Sequence, residues 1–452
     1  MSYNEFLESK LFKDNPTGLT GDIDINAKLF DFQSDITKWA LKRGRAAIFA
    51  DCGLGKSFMQ IEWAKHIPGN VLILAPLAVA QQTVREGKKI GVDINYCRDQ
   101  SQVKEGITIT NYEMLDHFEP SYFTGIVLDE SSILKAYTGK IRNQIIESFQ
   151  ETPYRLACTA TPAPNDYMEL GNHAEFLGVM SRTEMLSMFF VHDGGDTSKW
   201  RLKGHAENEY WKWLCSWAVM IRKPSDLGYE DKGFHLPDAN LHEHIIETDK
   251  TLPGELFVIE ASTLQERQQA KRESLDERVS KCVDIVNGSD ETWLIWCNLN
   301  SESDALKKAI KGAVEVKGSD SNEHKETSAL DFAEGRIKCL VSKPSIFGFG
   351  LNFQACHNMA FVGLSDSYEQ FYQAVRRCWR FGQTNAVDVH IITADIEGAT
   401  LKNIKRKESD AIRMASNMVE HMHSLNEQNI KGTSKQKTGY EPNKKMEIPS
   451  WT

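Results

Sequence analysis

The stretch Ile48–Ser57, IFADCGLGKS, indicates how the rest of the chain is organised. An apolar run at 46–49 leads into it, and a segment with helical spacing, Phe58–His66, follows at once. The order strand, glycine loop, helix is typical of a phosphate-binding loop. Gly53 and Gly55 suit such a loop because backbone N–H groups must converge on phosphate oxygens, where a side chain would intrude.

The last two residues of this stretch have the side chains that a nucleotide triphosphate requires. Lys56 is expected to reach the β- and γ-phosphates, and the Ser57 hydroxyl is expected to bind Mg²⁺. The helix that starts here adds the positive end of its dipole. The usual pattern opens with glycine, whereas this chain has Ala50. An ordinary glycine turn is the alternative, and the strand before and helix after favour phosphate binding.

Composition limits the classes of protein to consider. The chain has 452 residues, enough for two to four domains, and a net charge of −10, so nucleic-acid binding would need a local basic cleft. Its nine cysteines form no C-x-x-C pair, which disfavours structural zinc and a disulfide framework and favours a reducing cytoplasm. No run approaches the ~18 apolar residues that span a bilayer, so we expect no membrane partner.

Two series of alternating strands and helices predict an α/β protein with two doubly wound parallel sheets. The predicted strands are 46–49, 71–75, 106–110, 125–132 and 155–162, followed by 292–297, 337–341, 359–363 and 387–393. The predicted helices include 31–42, 58–66, 81–89, 264–286 and 368–380. A tryptophan-rich stretch with a Gly-Gly break separates the two series and suggests a helical insert or bridge.

These patterns divide the chain into five parts. The expected units are a lead-in at 1–26, a first lobe at 27–180, an aromatic and basic insert at 181–245, a second lobe at 246–405, and a polar helix with a Lys-rich tail at 406–452.

Asp129 and Glu130 follow an apolar strand downstream of the phosphate loop. Phosphoryl chemistry needs such a pair, because one carboxylate holds magnesium and the other orients and polarises the attacking water. The alternative is a pair of acids that begins an exposed turn. The strand context favours the chemical interpretation.

Arg377 and Arg380 lie three residues apart in a predicted helix, a spacing that places both guanidinium groups on one face. Aimed at a γ-phosphate from a second domain, such a pair would act as arginine fingers. The alternative, a solvated basic face, fits poorly with the aromatic residues of the same segment.

Together these segments resemble helicase superfamily 2, most closely its Swi/Snf-type ATPase branch, and in their compactness phage or prophage ATPases. The segments that carry the resemblance are Gln33, ADCGLGKS (50–57), APLAV (75–79), ITNYEML (109–115), VLDESSILK (127–135), ACTATPAPND (157–166), GFGLN (348–352) and QAVRRCWRFGQ (373–383). Two serines follow the acid pair where relatives often carry Ala and His.

The resemblance implies two RecA-like lobes with ATP and Mg²⁺ in the cleft between them and duplex or branched DNA across both lobes. Lys56, Glu130, Arg377 and Arg380 would be catalytic, and Ser57 and Asp129 would hold the metal. The implied nucleotide contacts are Phe30, Gln33, Gly53, Leu54, Gly55, Lys56, Ser57, Gly350, Asn352 and Gln373. Thr159 and Thr161 would couple the nucleotide to DNA.

The resulting hypothesis is an ATP-driven DNA translocase or helicase in a bacterial or phage-infected cytoplasm. An RNA helicase is one alternative, and an ATP-gated recruiting subunit without net translocation is another. The insert or the tail is the expected surface for a protein partner.

Two further signals receive little weight. Asp226 with the run 230–232 mimics a nuclease set, but its spacing is too short to span two strands. Trp211, Trp213 and Trp217 could stack on bases, and helix packing is the better interpretation.

Overall fold

Two parallel β-sheets organise the chain, one in each half, as the alternating pattern predicted. The structure, a computed structural model, describes residues 16–135, 139–163, 166–193, 196–248, 264–348 and 351–431. Within these ranges the chain forms one seven-stranded sheet, one six-stranded sheet and a two-stranded hairpin. The two α/β lobes have the arrangement of tandem RecA-like domains.

The first sheet has the strand order β3-β4-β2-β5-β6-β1-β9, and all its pairings are parallel. Its strands are β1 (Arg45–Ala50), β2 (Val71–Ala75), β3 (Ile94–Tyr96), β4 (Ile107–Asn111), β5 (Gly125–Asp129), β6 (Tyr154–Thr159) and β9 (Ala218–Ile221). Their central residues are buried on both faces, because helices cover each side of the sheet.

The helices of this half and the hairpin inserted in it follow from the same alternation. The helices are α1 (Asp31–Arg43), α2 (Lys56–His66), α3 (Leu77–Lys89), α4 (Lys140–Ser148), α5 (Leu170–Leu177), α6 (Arg182–Phe189) and α7 (Glu207–Trp217), and the hairpin strands are β7 (Phe190–Asp193) and β8 (Asp196–Leu202).

The second sheet has the order β10-β15-β14-β11-β13-β12, also fully parallel. Its strands are β10 (Ala239–Ile246), β11 (Trp293–Cys297), β12 (Val314–Glu315), β13 (Cys339–Ser342), β14 (Asn358–Val362) and β15 (Val387–Ala394). The helices of this half are α8 (Leu264–Glu273), α9 (Leu275–Asn287), α10 (Asn300–Ala309), α11 (Asn322–Ala333), α12 (Pro344–Phe347), α13 (Tyr368–Val375) and α14 (Gly398–Lys431).

The strand order of the first sheet positions the candidate site. Strand β6 lies between β1 and β5, so the loops that leave the carboxyl ends of these three strands are neighbours. The glycine loop follows β1, the acid pair Asp129 and Glu130 lies at the end of β5, and Thr159 and Thr161 lie at the end of β6. Parallel sheets bind ligands outside these ends, where polar side chains can converge.

The stretch expected to be an insert, 181–245, differs from the prediction because both sheets use part of it. Strand β9 pairs with β1 in the first sheet, and β10 pairs with β15 in the second. The short apolar run AVMI of β9 is hard to separate in the sequence from the tryptophan-rich helix before it. Helix α7 buries Trp211, Trp213 and Trp217, so packing is their role in the fold.

Two predicted helices are shorter than expected. The helix over 264–286 breaks at Ser274, whose hydroxyl donates to the Ala270 carbonyl at 2.8 Å. The helix over 368–380 ends at Val375, where the Arg377 N–H bonds the Ala374 carbonyl and the chain tightens into turns. Arg377 and Arg380 therefore lie beyond a helix and not on one of its faces.

The long C-terminal helix α14 starts in the second lobe and packs back onto α1, α7 and β9 of the first. Met418 and Met422 enter the core beside the tryptophans, and the His421 ring stacks on Trp211 at 4.9 Å between ring centroids. No described helix is long and apolar enough to cross a membrane. The tail at 432–452 and residues 1–15 lie outside the described ranges.

Candidate nucleotide site between the lobes

The loop after β1 requires glycine at two positions. Gly53 and Gly55 adopt φ angles of +90° and +78°, in the left-handed region that side chains disfavour. A Cβ on Gly55 would lie 2.3 Å from Gln33 Nε2, and one on Gly53 would lie 2.9 Å from the Phe381 nitrogen. Ala50 is the last residue of β1, where extended backbone accommodates a methyl group, so glycine is not required there.

Lys56 begins α2, and its ammonium group turns back onto the loop. Its Nζ donates to the carbonyls of Ala50 at 2.8 Å and Asp51 at 3.4 Å. Ser57 is the next residue, and both side chains line the cavity between the lobes. The ammonium group is therefore held at the mouth of the glycine loop.

The acid pair lies at the end of β5, with both side chains buried. The Tyr112 hydroxyl donates to the Asp129 carbonyl at 2.7 Å, which fixes the strand end. Glu130 has a φ of +58°, and it is the one described residue other than glycine with a positive φ. This turn directs the Glu130 carboxylate into the cavity that Asp129 also lines.

The environment of Asp129 favours its neutral form when no cation is bound. Burial, and then the charge of Glu130, raise the pKa of Asp129 to about 7, while Lys56 and the neighbouring Gln60 amide oppose the change. A divalent cation would relieve this repulsion, because it supplies the positive charge that the buried pair lacks.

We expect the variant Asp129→Asn to be more stable than the wild type at pH 8 without metal or nucleotide. The folded-state pKa lies above the ordinary value of 3.8, so the carboxyl contributes most stability below pH 4 and loses it as the pH rises through 7. The gain in unfolding free energy should increase by about 3 kcal/mol at most between pH 5 and pH 8, because one pKa unit corresponds to ~1.4 kcal/mol. Thermal melts in a chelator at both pH values measure it. A gain that is equal at both values would contradict the assignment.

The two threonines after β6 link the acid pair to the second lobe. The Thr159 hydroxyl donates to Glu130 Oε2 at 3.3 Å, and the backbone N–H of Thr161 donates to the same Thr159 hydroxyl oxygen at 3.1 Å. The Thr161 hydroxyl then donates to Glu369 Oε1 on α13 at 3.4 Å. Serines after the acid pair do not prevent this connection, because Thr159 reaches Glu130 directly.

Arg377 and Arg380 line the same cavity from the opposite lobe. Both donate to the Leu351 carbonyl at 2.9 Å, and Arg377 also bonds the carbonyl and side-chain oxygen of Gln373 at 2.8 and 3.0 Å. Burial and the neighbouring Arg377 lower the pKa of Arg380 to about 10. Within the described ranges the side chains of both arginines donate to uncharged oxygens. Arg377 is buried and Arg380 is half-buried, and two such cations that share a neutral acceptor form a site that favours an anion.

The adjacent Arg376 has a different role that the sequence did not reveal. Its guanidinium lies 3.2 Å from Asp51 Oδ1 and donates to the Cys52 carbonyl at 2.8 Å. The Tyr372 hydroxyl also donates to Asp51. Gln373, expected to contact the nucleotide, is buried and faces Cys52, whose Sγ is 3.6 Å from Gln373 Oε1. These contacts join the second lobe directly to Asp51 and Cys52, in the glycine loop after β1.

Aromatic side chains from three segments surround the far end of the cavity. Phe30 lies edge-on to Phe234 at 5.1 Å between ring centroids, and Phe234 stacks on Phe381 at 4.7 Å. The Gln33 amide accepts from the Phe30 N–H at 3.0 Å and donates to the Leu54 carbonyl at 2.9 Å, which fixes its orientation. Phe30 and Gln33 were predicted, whereas Phe234 and Phe381 were not. A planar base has apolar faces available here.

The cavity that these residues enclose has a volume of about 400 Å³. Asn352, which the sequence predicted as a nucleotide contact, lines it, and Gly350 lies outside the described residues. A second cavity of about 590 Å³ lies between the lobes and also reaches Glu130. It is lined by Leu77 after β2 and by residues of α11 and α12. The turn at Glu130, called the acid turn below, therefore borders both cavities.

The donor set fits Mg²⁺ bound with a nucleotide. Among the described residues no three His, Cys, Asp or Glu side chains form a cluster that could hold a metal ion. Magnesium seldom uses such a cluster, because it typically takes one or two carboxylates together with waters and substrate phosphates. Asp129 and the Ser57 hydroxyl supply that smaller set.

The family description "Helicase conserved C-terminal domain" matches residues 275–382. The matched segment, which lies within the second lobe, is therefore similar to helicase C-terminal domains. The match includes Arg377 and Arg380 and most of the second sheet.

Two solved structures are similar over most of the chain. Dbp5 from S. cerevisiae, bound to RNA and ADP BeF3, has a TM-score of 0.55 and 11% identity over 86% of this chain and 93% of its own. The SWI2/SNF2 ATPase core of Sulfolobus solfataricus, in complex with dsDNA, has a TM-score of 0.41 and 18% identity over 91% of this chain and 98% of its own. No curated protein matches significantly in sequence. The similarity to Dbp5 supports the fold described above, two tandem RecA-like α/β lobes.

Proposed function

We propose that the protein is an ATP-dependent DNA translocase or helicase that hydrolyses ATP between its two lobes. One observation carries the proposal: the glycine loop and acid pair of one lobe face two arginines of the other lobe across a single cavity. Those arginines have uncharged partners, and a bound triphosphate would supply the missing anion.

The proposed roles follow from the contacts. Lys56 and the loop N–H groups hold the phosphates, and Phe30 and Gln33 hold the base. Ser57 and Asp129 hold Mg²⁺, which neutralises phosphate charge. Glu130 accepts the proton of the attacking water, and its bond to Thr159 orients the carboxylate.

The arginines make the reaction depend on lobe position. Arg377 and Arg380 stabilise the charge that develops on the transferred phosphoryl group, and they can do so only when the cleft is closed. Hydrolysis removes the shared charge and favours opening. The chain from Glu130 through Thr159 and Thr161 to Glu369 couples this change to the second lobe.

We place the nucleic acid across both lobes, at the opening of the second cavity. Arg85 and Lys325 line that cavity from opposite lobes, beside apolar side chains on which bases can rest. Nine cysteines that form no disulfide are consistent with action in a reducing bacterial or phage-infected cytoplasm.

Action on RNA is the second candidate, and the similarity to Dbp5, solved with RNA, supports it. ATP hydrolysis measured with duplex DNA, branched DNA, single-stranded DNA and duplex RNA at two salt concentrations separates the candidates. We expect the greatest stimulation by duplex or branched DNA, and weaker stimulation at higher salt. Greater stimulation by RNA would support the second candidate. Displacement of a triplex third strand distinguishes a translocase from an ATP-gated switch.

We expect Lys56→Ala to weaken ATP binding, because it removes the ammonium group that would contact the phosphates. A charged hydrogen bond of this kind contributes ~1.5–3 kcal/mol, so affinity should fall roughly 10- to 100-fold. Titration with a fluorescent ATP analogue measures the change. Lys65→Ala, on the same helix but paired with Glu62, is the matched control. Unchanged affinity in Lys56→Ala would remove this residue from the site.

A further inference from the structure

The backbone that carries Glu130 is held in a conformation that its sequence alone does not favour. Residues with a Cβ disfavour a φ of +58°, and they persist in that region only where surrounding contacts enforce it. The contacts around this turn therefore help to fix the orientation of the Glu130 carboxylate. Tyr112 fixes the residue before the turn, and Thr159 contacts the carboxylate itself.

The residues after the turn are anchored by helix α5. The Ser131 hydroxyl lies 3.1 Å from His173 Nε2. The neighbouring Asn172 donates its side-chain N–H to the carbonyls of Leu134 at 2.8 Å and Lys135 at 3.2 Å. Two consecutive side chains of one helix thus bind the 131–135 loop at both ends.

His173 is suited to a permanent structural contact and not to proton transfer. It is completely buried, and burial lowers the pKa of its ring to about 4, so it is neutral at ordinary pH. A neutral imidazole has one N–H and one lone pair, so Nε2 can either donate a hydrogen bond to the Ser131 hydroxyl or accept one from it. The ring also lies edge-on to Phe49 of β1 at 5.2 Å. It therefore connects the acid turn with the strand that leads into the phosphate loop.

We propose that His173 and Ser131 are positioning residues for ATP hydrolysis, which hold the left-handed turn so that Glu130 faces the attacking water. The proposal rests on the proposed function. His173 does not line the nucleotide cavity, so its effect passes through Ser131 and the turn. Misplacement of a catalytic group by about 1 Å can cost as much as ~10²-fold in rate.

The test compares steady-state ATP hydrolysis of Ser131→Ala, His173→Ala and His173→Gln with that of the wild type. Ser131→Ala removes only a hydroxyl and should fold normally. We expect kcat to fall about 10-fold in both alanine variants, with KM for ATP changed less than twofold, because the turn is misaligned while the phosphate loop is intact. His173→Gln should recover much of the loss, because its amide can again bond Ser131.

The matched control is Phe176→Leu, which perturbs the core on the same helix. It should lower the melting temperature without the selective loss of kcat. Wild-type kcat in Ser131→Ala, or equal losses in His173→Gln and His173→Ala, would overturn the positioning role while ATP hydrolysis by the wild type stands. A wild type that hydrolyses no ATP with any nucleic acid would overturn the proposed function itself, and this role with it.

Discussion

Replacement of Glu130 by glutamine is expected to leave ATP binding intact and to reduce turnover by ~10²-fold or more, the contribution typical of a general base. Glutamine has the same shape, so the turn and the bond from Thr159 can persist while the proton acceptor is lost. The measurements are ATP affinity by titration and kcat in the presence of saturating DNA. The affinity should change little, because the Lys56 contact to the phosphates is unaltered.

The matched control for this variant is Glu147→Gln, an exposed position on α4 of the same lobe. It should hydrolyse ATP like the wild type. Full activity in Glu130→Gln would refute the assignment of the base. A variant that had lost ATP affinity as well would indicate that Glu130 contributes mainly to binding.

Replacement of Arg380 by alanine is expected to reduce kcat by as much as ~10³-fold while ATP affinity stays nearly constant. In the proposed site the first lobe would hold most of the nucleotide, whereas the arginine would act on charge that develops during the reaction. The kcat of Arg380→Lys should at best lie between those of Arg380→Ala and the wild type, because the point charge of lysine replaces the planar fork of donors of arginine. Single-turnover hydrolysis and ATP titration separate the two quantities.

Arg336→Ala provides the control for that experiment, because Arg336 is an exposed arginine of the second lobe paired with Asp331. Its removal should leave kcat unchanged. An unchanged rate in Arg380→Ala would eliminate the arginine finger, and the anion site would then have to be explained by Arg377 alone.

The sequence predicted the parts of the site that depend on local order. The strand, glycine loop and helix around Lys56, and the strand that ends in Asp129, follow from hydrophobic runs and turn residues within a few positions of each other. Both sheets were predicted for the same reason, because strands buried on both faces are continuous apolar runs.

The contacts that the sequence did not predict depend on distant segments meeting. Phe234 and Phe381 are far apart in the chain, and their stacking follows from how the second lobe docks on the first. The contact of Arg376 with Asp51 likewise arises from docking, and its residue type does not distinguish it from its neighbour Arg377. Sequence spacing suggested a helical face for the arginines. Their convergence instead comes from a shared acceptor, the Leu351 carbonyl, after the helix has ended.

The hydrogen bond between Ser131 and His173 is another contact between distant segments that the sequence did not predict. His173 lies 42 positions after Ser131, and nothing in either local sequence indicates that they meet. The signal that could have suggested a partner is the serine itself, since a buried hydroxyl needs a hydrogen-bond partner.

The central claim, that one nucleotide is held by both lobes, is tested most directly by a crystal structure with Mg²⁺ and a non-hydrolysable ATP analogue. We expect the terminal phosphate to lie within hydrogen-bond distance of Lys56 and of Arg377 or Arg380, with the base beside Phe30. A nucleotide that contacts the first lobe alone, with both arginines still bonded to the Leu351 carbonyl, would contradict the account.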